Sequence, residues 1–385
     1  MLIFKLIFFN LLRHPIRVVL TIFGLIVATL SYGLLSTVVD AWYAGAEGAS
    51  NARLIVRSST SLIFPIPMSH LKRIEKLEGV NKVSWSRWFG GVYKEPKNFF
   101  PQFAVDPESY LTIYPEYLVA DVQKESFFRD KRSTLIGRKI ADEHNLKVGD
   151  LMVLDGQIFP GKWEFKVAGI YDGKDSTTDT AQMFFHWGYL NEEIKKRSIL
   201  RDEESVGVFI VEIKKIADAA RISVAIDELF KNSVKETYTE TEKAFQLGFV
   251  AMTEAIVVAI RLVSYVVILI IMAVMANTMS MTSRERIREY ATIRAIGFSP
   301  LFLIKIIFME SLFLSIVGGV FGVALTFPAA YIFSSTTGTL FPVFEVSQET
   351  VIYQIFLVIL TGLVSSLFPS IKASNINITS GLRSI

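Results

Sequence analysis

The 385-residue sequence has no cysteine, only four histidines, and charged residues at only a fifth of its positions. The absence of cysteine excludes disulfide bonds, so any folded domain must be held together by its core alone. The histidines are scattered without the spacing of metal ligands, and no metal site is predicted. Because about half of the residues are apolar and they gather in long runs, the sequence indicates an integral membrane protein.

Motifs for nucleotide binding and for hydrolysis are also missing. The sequence has no G-x-x-x-x-G-K-[ST] loop to hold nucleotide phosphates and no G-x-S-x-G turn to present a nucleophilic serine. No catalytic residue and no nucleic-acid partner is predicted. The chain is therefore not expected to be an enzyme, and any energy that it uses must come from another protein.

Four stretches without charged residues are long enough to cross a bilayer, which takes roughly 20 apolar residues. They cover residues 18–39, 262–283, 311–344 and 350–371. The first is too long for a signal peptide and no cleavage site follows it, so we expect it to remain as a membrane helix. The predicted fold class is an α-helical membrane protein with four transmembrane helices plus a large extracytoplasmic α+β domain inserted between helices 1 and 2.

Basic residues near the helix ends predict the orientation. Lys5, Arg13 and Arg17 precede helix 1, five basic residues lie between positions 284 and 305, and the loop 334–349 has none. Both termini and the charged segment should therefore be cytoplasmic, with the large domain outside. We expect a multi-pass protein of the bacterial inner membrane with a periplasmic domain.

The large domain combines strand and helix patterns. Its two ends, beginning at "ARLIVRS" and at "VGVFIVEIK", each place strands beside a helix and are predicted to form one split α+β unit, while "LKVGDLMVLDGQIFPGKWEFKVAGIYD" predicts hairpins in an inserted β-rich subdomain. The predicted divisions are 1–39 for the N-terminus and helix 1, 40–253 for the outer domain with a β-rich insertion at about 105–200, 254–283 for helix 2, 284–299 for a cytoplasmic helix, 300–333 for helix 3, 334–349 for an outer loop, 350–371 for helix 4, and 372–385 for the cytoplasmic tail.

Small residues recur in the membrane helices, where close packing in lipid relies on glycine, alanine and serine. The predicted packing residues are Gly24 and Ala28 in helix 1, Gly318, Gly319 and Gly322 in helix 3, and Gly362 in helix 4. Their spacing leaves packing within one subunit and contact between two subunits equally open. The small size of a four-helix body favours a dimer.

Glu310 is the one ionisable residue predicted deep in a membrane helix, where a charge is costly and is by default a functional candidate. A proton relay would need further acidic or histidine partners, and the four charge-free stretches contain none. Glu310 is therefore predicted to pair near the cytoplasmic interface with Lys305 or with a basic residue of the 284–299 helix.

The segment 283–300, "SRERIREYATIRAIGFSP", is charged and lies between two membrane helices. Its pattern predicts a helix that stops at Gly297, which suits a left-handed conformation, and Ser299 and Pro300 suit the start of the next helix. The residues alone leave two interpretations open. The segment is either a basic helix held by anionic lipid or a docking helix for a cytoplasmic protein.

Two stretches of the chain resemble the FtsX/MacB/LolCDE permeases, which are type VII ABC transporters. They are "NLLRHPIRVVLTIFGLIVA" and "NTMSMTSRERIREYATIRAIGFSPLFLIKIIFMESLFLSIVGGVFGVAL". The family pattern of a charged helix, a glutamate and a G-G-x-x-G is kept by Glu285, Arg286, Glu289, Tyr290, Arg294, Ala295, Gly297, Glu310, Gly318, Gly319 and Gly322. The C-terminal end of the chain also resembles the end of the family pattern, at Pro369, Ala373, Leu382 and Arg383. The family usually has a proline where this chain has Ile378 or Thr379.

The resemblance implies a permease dimer, homodimeric or heterodimeric, bound to two copies of a separate ABC ATPase that holds ATP and Mg²⁺. The permease itself would bind no cofactor. ATP-driven closure would push on the charged segment as a coupling helix, and helices 1 and 2 would carry the motion outward by mechanotransmission. The residues implied in ATPase coupling are Arg284, Glu285, Arg286, Arg288, Glu289, Tyr290, Ile293, Arg294, Ala295 and Gly297.

The sequence does not identify what is moved. The size of the outer domain favours export, or the handling of lipid, lipoprotein or periplasmic material, in a layout that resembles DevC-type exporters with a periplasmic adaptor (membrane fusion protein) and an outer-membrane channel. The alternative is an FtsX-like regulator whose motion controls an extracytoplasmic enzyme or signalling partner. A secondary transporter is a third option, which would need intramembrane charges that the sequence lacks.

Overall fold

A computed structural model describes residues 13–96, 98–175, 177–197, 204–337, 341 and 344–375. The chain separates into two compact units. The helical unit comprises the residues up to Asp40, Glu254–Thr336 and the residues from Phe344 onward, and the α/β unit comprises Ala41–Thr253 with 337–343. Lys5, Ile378, Thr379, Leu382 and Arg383, which entered the sequence interpretation, lie outside the described residues.

The secondary structure alternates between long helices and a strand-rich middle. The helices are α1 Pro15–Glu47, α2 Leu71–Ile74, α3 Pro107–Ile113, α4 Asp121–Arg129, α5 Arg138–His144, α6 Trp187–Arg197, α7 Ala219–Phe230, α8 Glu242–Met252, α9 Glu254–Glu285, α10 Ile287–Ala295, α11 Pro300–Thr337 and α12 Gln348–Ser374. The strands are β1 Arg53–Ser58, β2 Ile66–Pro67, β3 Val80–Trp88, β4 Gly91–Tyr93, β5 Gln102–Val105, β6 Tyr117–Leu118, β7 Ser133–Gly137, β8 Leu151–Gly156, β9 Gly161–Gly173, β10 Met183–His186, β11 Ser205–Val206, β12 Val208–Ile213 and β13 Thr237–Thr241. Among the described residues, four helices, α1, α9, α11 and α12, are long and apolar enough to cross a membrane.

The predicted small residues let these helices approach one another closely. A Cβ atom on Gly318 would lie 2.5 Å from Cβ of Leu25, and one on Gly322 would lie 2.6 Å from Cβ of Thr29, so both glycines let α11 pack directly on α1. The other predicted packing residues also face neighbouring helices or are buried: Gly319 faces Val358, Gly362 faces Leu312, Gly24 faces Ile271, and Ala28 is buried.

The α/β unit is built on one eleven-stranded sheet with the strand order β13-β1-β12-β3-β5-β10-β7-β9-β8-β4, and β6 pairs with β9. The interior strand β12 pairs antiparallel with both β1 and β3, so the two ends of the predicted domain form one sheet. The pairing of β8 with β9, from Leu151 opposite Lys166 to Gly156 opposite Gly161, confirms the predicted hairpin.

The β-rich segment at about 105–200 does not form a sheet of its own among the described residues. Its strands continue the sheet from β3, because β5 pairs antiparallel with β3 on one side and parallel with β10 on the other. Ser86 lies opposite Val105, and Phe103 lies opposite Phe184. The predicted separation into a subdomain is thus absent at the level of strand pairing.

Helices cover the sheet through apolar faces. Ile222, Ile226 and Phe230 recur every fourth residue of α7, which places them on one side of the helix, and all three are buried in one apolar cluster with Val56 and Phe209. A second cluster surrounds the fully buried aromatic side chains Trp163, Phe89, Phe165 and Phe185. The unit therefore has the core that a cysteine-free domain needs.

Candidate functional site

The charged segment between α9 and α11 is two helical pieces joined by a break. The first piece is the end of α9, which continues through Arg284 and Glu285. The backbone leaves the helix at Arg286, with φ of −104°, and α10 then runs from Ile287 to Ala295. Gly297 has φ of +106°, a conformation that favours glycine, and α11 begins three residues later. The predicted helix at 284–299 is therefore shorter, and its first two charges belong to α9.

Arg286, at the break, bonds to two glutamates. Its Nη1 lies 2.9 Å from Oε2 of Glu310 on α11, and its Nε lies 3.0 Å from Oε2 of Glu289 on α10. Arg286 is 8% exposed and Glu310 is 3% exposed, so this ion pair is shielded from water. Of the partners predicted for Glu310, the structure therefore selects a basic residue of the charged segment.

Two arginines before and at the start of α1 reach the same segment from the other side. Arg17 holds the carboxylate of Glu285 with two bonds, of 2.8 and 2.9 Å, and His14 Nε2 lies 3.5 Å from the same carboxylate. Arg13 bonds to Glu289. Since these side chains are partly exposed, water screens the pairs and each contributes about 1 kcal/mol or less.

The C-terminal end of α10 contacts the last helix. Arg294 Nη1 donates to the backbone carbonyl of Ser374, at the end of α12, over 3.1 Å. Tyr290 is buried in the apolar cluster of the long helices, and Ala291 is also buried. The predicted coupling residues divide by exposure: Arg286 and Tyr290 are buried, Glu289, Ile293 and Arg294 are half-buried, and Arg284, Glu285, Arg288, Ala295 and Gly297 are exposed. One side of α10 thus faces the long helices, and the opposite side, called the open side below, is exposed.

Electrostatics favours one protonation state in this cluster. Burial opposes the ionisation of Glu289, but hydrogen bonds from Arg286 and Arg13 outweigh it and lower the pKa of the carboxyl. Burial is also the main reason that the pKa of Tyr290 rises to about 12. Glu289 is therefore charged and Tyr290 neutral at physiological pH.

Polar side chains also link the long helices, where sequence reasoning expected few. Gln354 on α12 is 1% exposed, and its Nε2 lies 2.9 Å from the carbonyl oxygen of Thr29 on α1 and 3.0 Å from Oγ1 of Thr326 on α11. At the N-terminal end of the same helix, the hydroxyls of Ser347 and Thr350 donate to Asp40. Gln354 could have been noticed as the only amide in the stretch 350–371, but its partners have no signal in the sequence.

The α/β unit contains a buried ionic cluster that the sequence did not reveal. Arg53 on β1 lies 2.6 Å from Glu242, the first residue of α8, and 2.7 Å from Glu116. Glu242 also accepts bonds from the hydroxyl of Tyr114, at 2.8 Å, and from the amide of Ser50, at 2.9 Å. The cluster fixes the start of α8 to the sheet.

The C-terminal part of the chain matches a known family. Residues 261–378 match the profile of the FtsX-like permease C-terminal domain. The matched range includes most of α9, all of α10, the Arg286–Glu310 pair, and both α11 and α12. The residues that surround the open side of α10 therefore belong to the matched domain.

Similar solved structures and a similar sequence were also found over longer parts of this chain. One solved structure is the extracellular domain of the noncanonic ABC-type transporter YknZ from Gram-positive bacteria, with a TM-score of 0.37, 11% identity, and coverage of 49% of this chain and 98% of that one. Another is the periplasmic region of MacB from Actinobacillus actinomycetemcomitans, with a TM-score of 0.38, 9% identity, and coverage of 53% and 94%. An uncharacterized ABC transporter permease of Methanocaldococcus jannaschii is 23% identical over 403 residues. That match covers 98% of this chain and 96% of the relative, so the two proteins correspond over nearly their whole lengths.

Proposed function

Because residues 261–378 form an FtsX-like permease C-terminal domain, we propose that the chain is the membrane subunit of an ABC transporter that works by mechanotransmission. A separate ATPase binds ATP and Mg²⁺ on the cytoplasmic side, and its closure pushes on the open side of α10. The long helices carry the movement across the cytoplasmic membrane to the α/β unit outside. Both termini are cytoplasmic in this arrangement.

The attachment of α10 supports the proposal. This nine-residue helix bonds through Glu289 to Arg13, just before α1, to α11 through the preceding Arg286, and to α12 through Arg294. A push on its exposed side would therefore reach three long helices. A helix that only rested on lipid headgroups would need no buried ion pair to Glu310, because removing both charges from water is costly.

The proposed work is export, or the handling of lipid, lipoprotein or periplasmic material. Two copies of the chain, or this chain with a second permease, would hold two ATPases. A periplasmic adaptor and an outer-membrane channel would extend the route in a cell that has an outer membrane. The permease contributes binding and movement, and the chemistry of ATP hydrolysis belongs to the partner.

Co-purification tests this proposal. We would isolate the intact protein in mild detergent and identify associated proteins by mass spectrometry, for the wild type and for an Arg284→Glu/Arg288→Glu variant on the exposed side. The matched control, Arg129→Glu/Lys131→Glu, reverses two exposed charges in the α/β unit. We expect a P-loop ATPase with the wild type and the control, and its loss with the first variant.

Two other results have different meanings. Recovery of the wild-type protein without any ATPase, under conditions that keep the permease dimeric, would contradict the proposal and favour a basic helix bound to lipid. Recovery of an ATPase together with a cell-wall hydrolase or a signalling kinase, and without an adaptor, would favour the FtsX-like regulator over export.

A further inference from the structure

The α/β unit is made of two separate stretches of chain. It begins at Ala41, near the end of α1, and ends at Thr253, before α9, and it also includes residues 337–343 between α11 and α12. Every covalent connection between the two units therefore passes through one of these three places. Trp42 lies at the first of these places, Thr253 at the second and Phe341 at the third, and all three residues belong to the α/β unit.

Trp42 joins the first of these places to the second. Its indole Nε1 donates to Oγ1 of Thr253 over 2.6 Å, although 211 positions separate the two residues. The Thr253 hydroxyl in turn donates to the carbonyl of Val250 over 2.9 Å, at the end of α8. The bond thus holds the residue between α8 and α9 against a side chain near the C-terminal end of α1.

Trp42 also contacts the third place. The ring of Phe341 meets the Trp42 ring edge-on, with 5.5 Å between their centres and an angle of 65°, a preferred arrangement for two aromatic rings. Phe341 is only 6% exposed, and its backbone carbonyl accepts a bond of 2.5 Å from Nζ of Lys139 on α5. Phe341 is therefore held by its side chain and by its backbone.

We propose that Trp42 is a joint that makes the three connections of the α/β unit move as one body. This inference rests on the proposed function for its purpose, because these connections are the covalent route from α10 to the α/β unit. A joint that ties them together would convert separate helix movements into one movement of the whole unit. Trp42 is a positioning residue in this role, since it acts through Thr253 and Phe341.

Hydrogen exchange of the full-length protein in lipid nanodiscs tests the joint without ATP or ATPase. Trp42→Ala should speed amide exchange by at least about tenfold both around Thr253 and around Phe341. Trp42→Phe keeps an aromatic ring and removes the indole N–H, so it should affect the Thr253 region alone, as should Thr253→Val. Lys139→Met should affect the Phe341 region alone. Trp88→Ala is the matched control, because Trp88 also packs on phenylalanines of the α/β unit but lies 39% exposed on β3.

The proposal would be overturned if amide exchange around both Thr253 and Phe341 in Trp42→Ala stayed within about twofold of the wild type. Trp42 would then be only an aromatic side chain at the membrane interface. If Trp42→Ala fails to fold, the separate effects of Trp42→Phe and Lys139→Met still decide the question, and unchanged exchange in both variants would overturn it. Because no ATPase is present, failure here is distinct from the failure of the co-purification experiment.

Discussion

Arg53 in the α/β unit and Arg286 in the helical unit use the same local chemistry. Each is 8% exposed and bonds to two glutamates. Each guanidinium also lies over a tyrosine ring, at 4.3 Å from the centre of Tyr114 and at 5.2 Å from that of Tyr290. The two sites differ in what their partners are attached to, and that difference decides what each site can do.

Arg53 ties together elements that are already held by the sheet. Its partner Glu242 is satisfied by two further donors, and the bonded residues surround the start of α8 within one packed unit. Arg286 instead joins two helices on either side of a turn, and its partner Glu289 is shared with the exposed Arg13. A buried ion pair therefore strengthens a rigid core in one place and connects a proposed moving helix to its neighbours in the other.

The largest effect is expected for Arg53→Met. The buried carboxylate of Glu242 and the partly exposed carboxylate of Glu116 would lose their cation, which should lower the free energy of unfolding of the α/β unit by about 3–5 kcal/mol. All five tryptophans lie between residues 42 and 187, so thermal unfolding followed by tryptophan fluorescence reports on this unit. Arg57→Met removes a less buried pair with Glu240 and is the matched control. If Arg53→Met and Arg57→Met lower the free energy of unfolding equally, burial of the Arg53 cluster does not increase its contribution to stability.

A smaller and more local effect is expected for Glu310→Gln. Arg286 keeps Glu289, and an amide oxygen can still accept one bond, so the local cost should be about 1–3 kcal/mol. We expect faster hydrogen exchange in α10 and unchanged tryptophan-detected unfolding. Exchange in α10 that stays as slow as in the wild type would show that the pair does not hold this helix.

Gly297→Ala and Gly149→Ala compare the same backbone change in the two units. The glycines have φ of +106° and +99°, and nothing lies within 4 Å of a Cβ added at either, so the penalty in each is backbone strain alone, about 1–2 kcal/mol. Gly149→Ala should lower the tryptophan-detected melting temperature and leave ATPase coupling intact. Gly297→Ala should leave the melting temperature unchanged and alter the ATPase activity of the complex, because the direction of α11 relative to α10 changes. Normal coupling in Gly297→Ala would remove the turn from the mechanism.

The smallest effect concerns the pH dependence of Glu289. Its pKa in the folded protein lies below the ordinary value of 4.5, so its stabilising contribution is present above that value and is lost as the pH falls through the lower, folded pKa. The carboxylate is partly exposed, which limits the effect to about 1 kcal/mol or less. We expect the exchange protection of α10 in the wild type and in Glu289→Gln to differ at neutral pH and to converge in acid. If the exchange protection of α10 still differs between the wild type and Glu289→Gln below the folded pKa, the charge of Glu289 is not the cause of the difference.

Local features of the charged segment were predicted from the sequence. Gly297 was expected to adopt a left-handed conformation, and Glu310 was expected to pair near the interface. Both expectations concern residues within about thirty positions of each other, and at that distance the spacing in the sequence largely decides which side chains can come into contact. The bonds from Arg13 to Glu289 and from Arg17 to Glu285 were not predicted, because 276 and 268 positions separate the partners and many other carboxylates compete for each arginine.

The strand pattern of the α/β unit shows the same limit. Alternation of apolar and polar residues predicted β1, β12 and the β8–β9 hairpin. It did not predict that β5 would bridge β3 and β10, since strand pairing depends on the register and the faces of distant segments rather than on local pattern.

Hydropathy, basic residues and turn signals in the sequence alone are enough to predict four apolar helices, a mixed α/β domain between the first two, and a short charged helix before the third. These features follow from local periodicity and from the transfer of apolar side chains out of water, which depend on composition and order. Tertiary structure decided which arginine meets which glutamate, where Gln354 bonds, and how Trp42 brings Thr253 and Phe341 together. Such contacts form only when distant segments pack, because the free energy of each bond depends on the burial and geometry that the whole fold supplies.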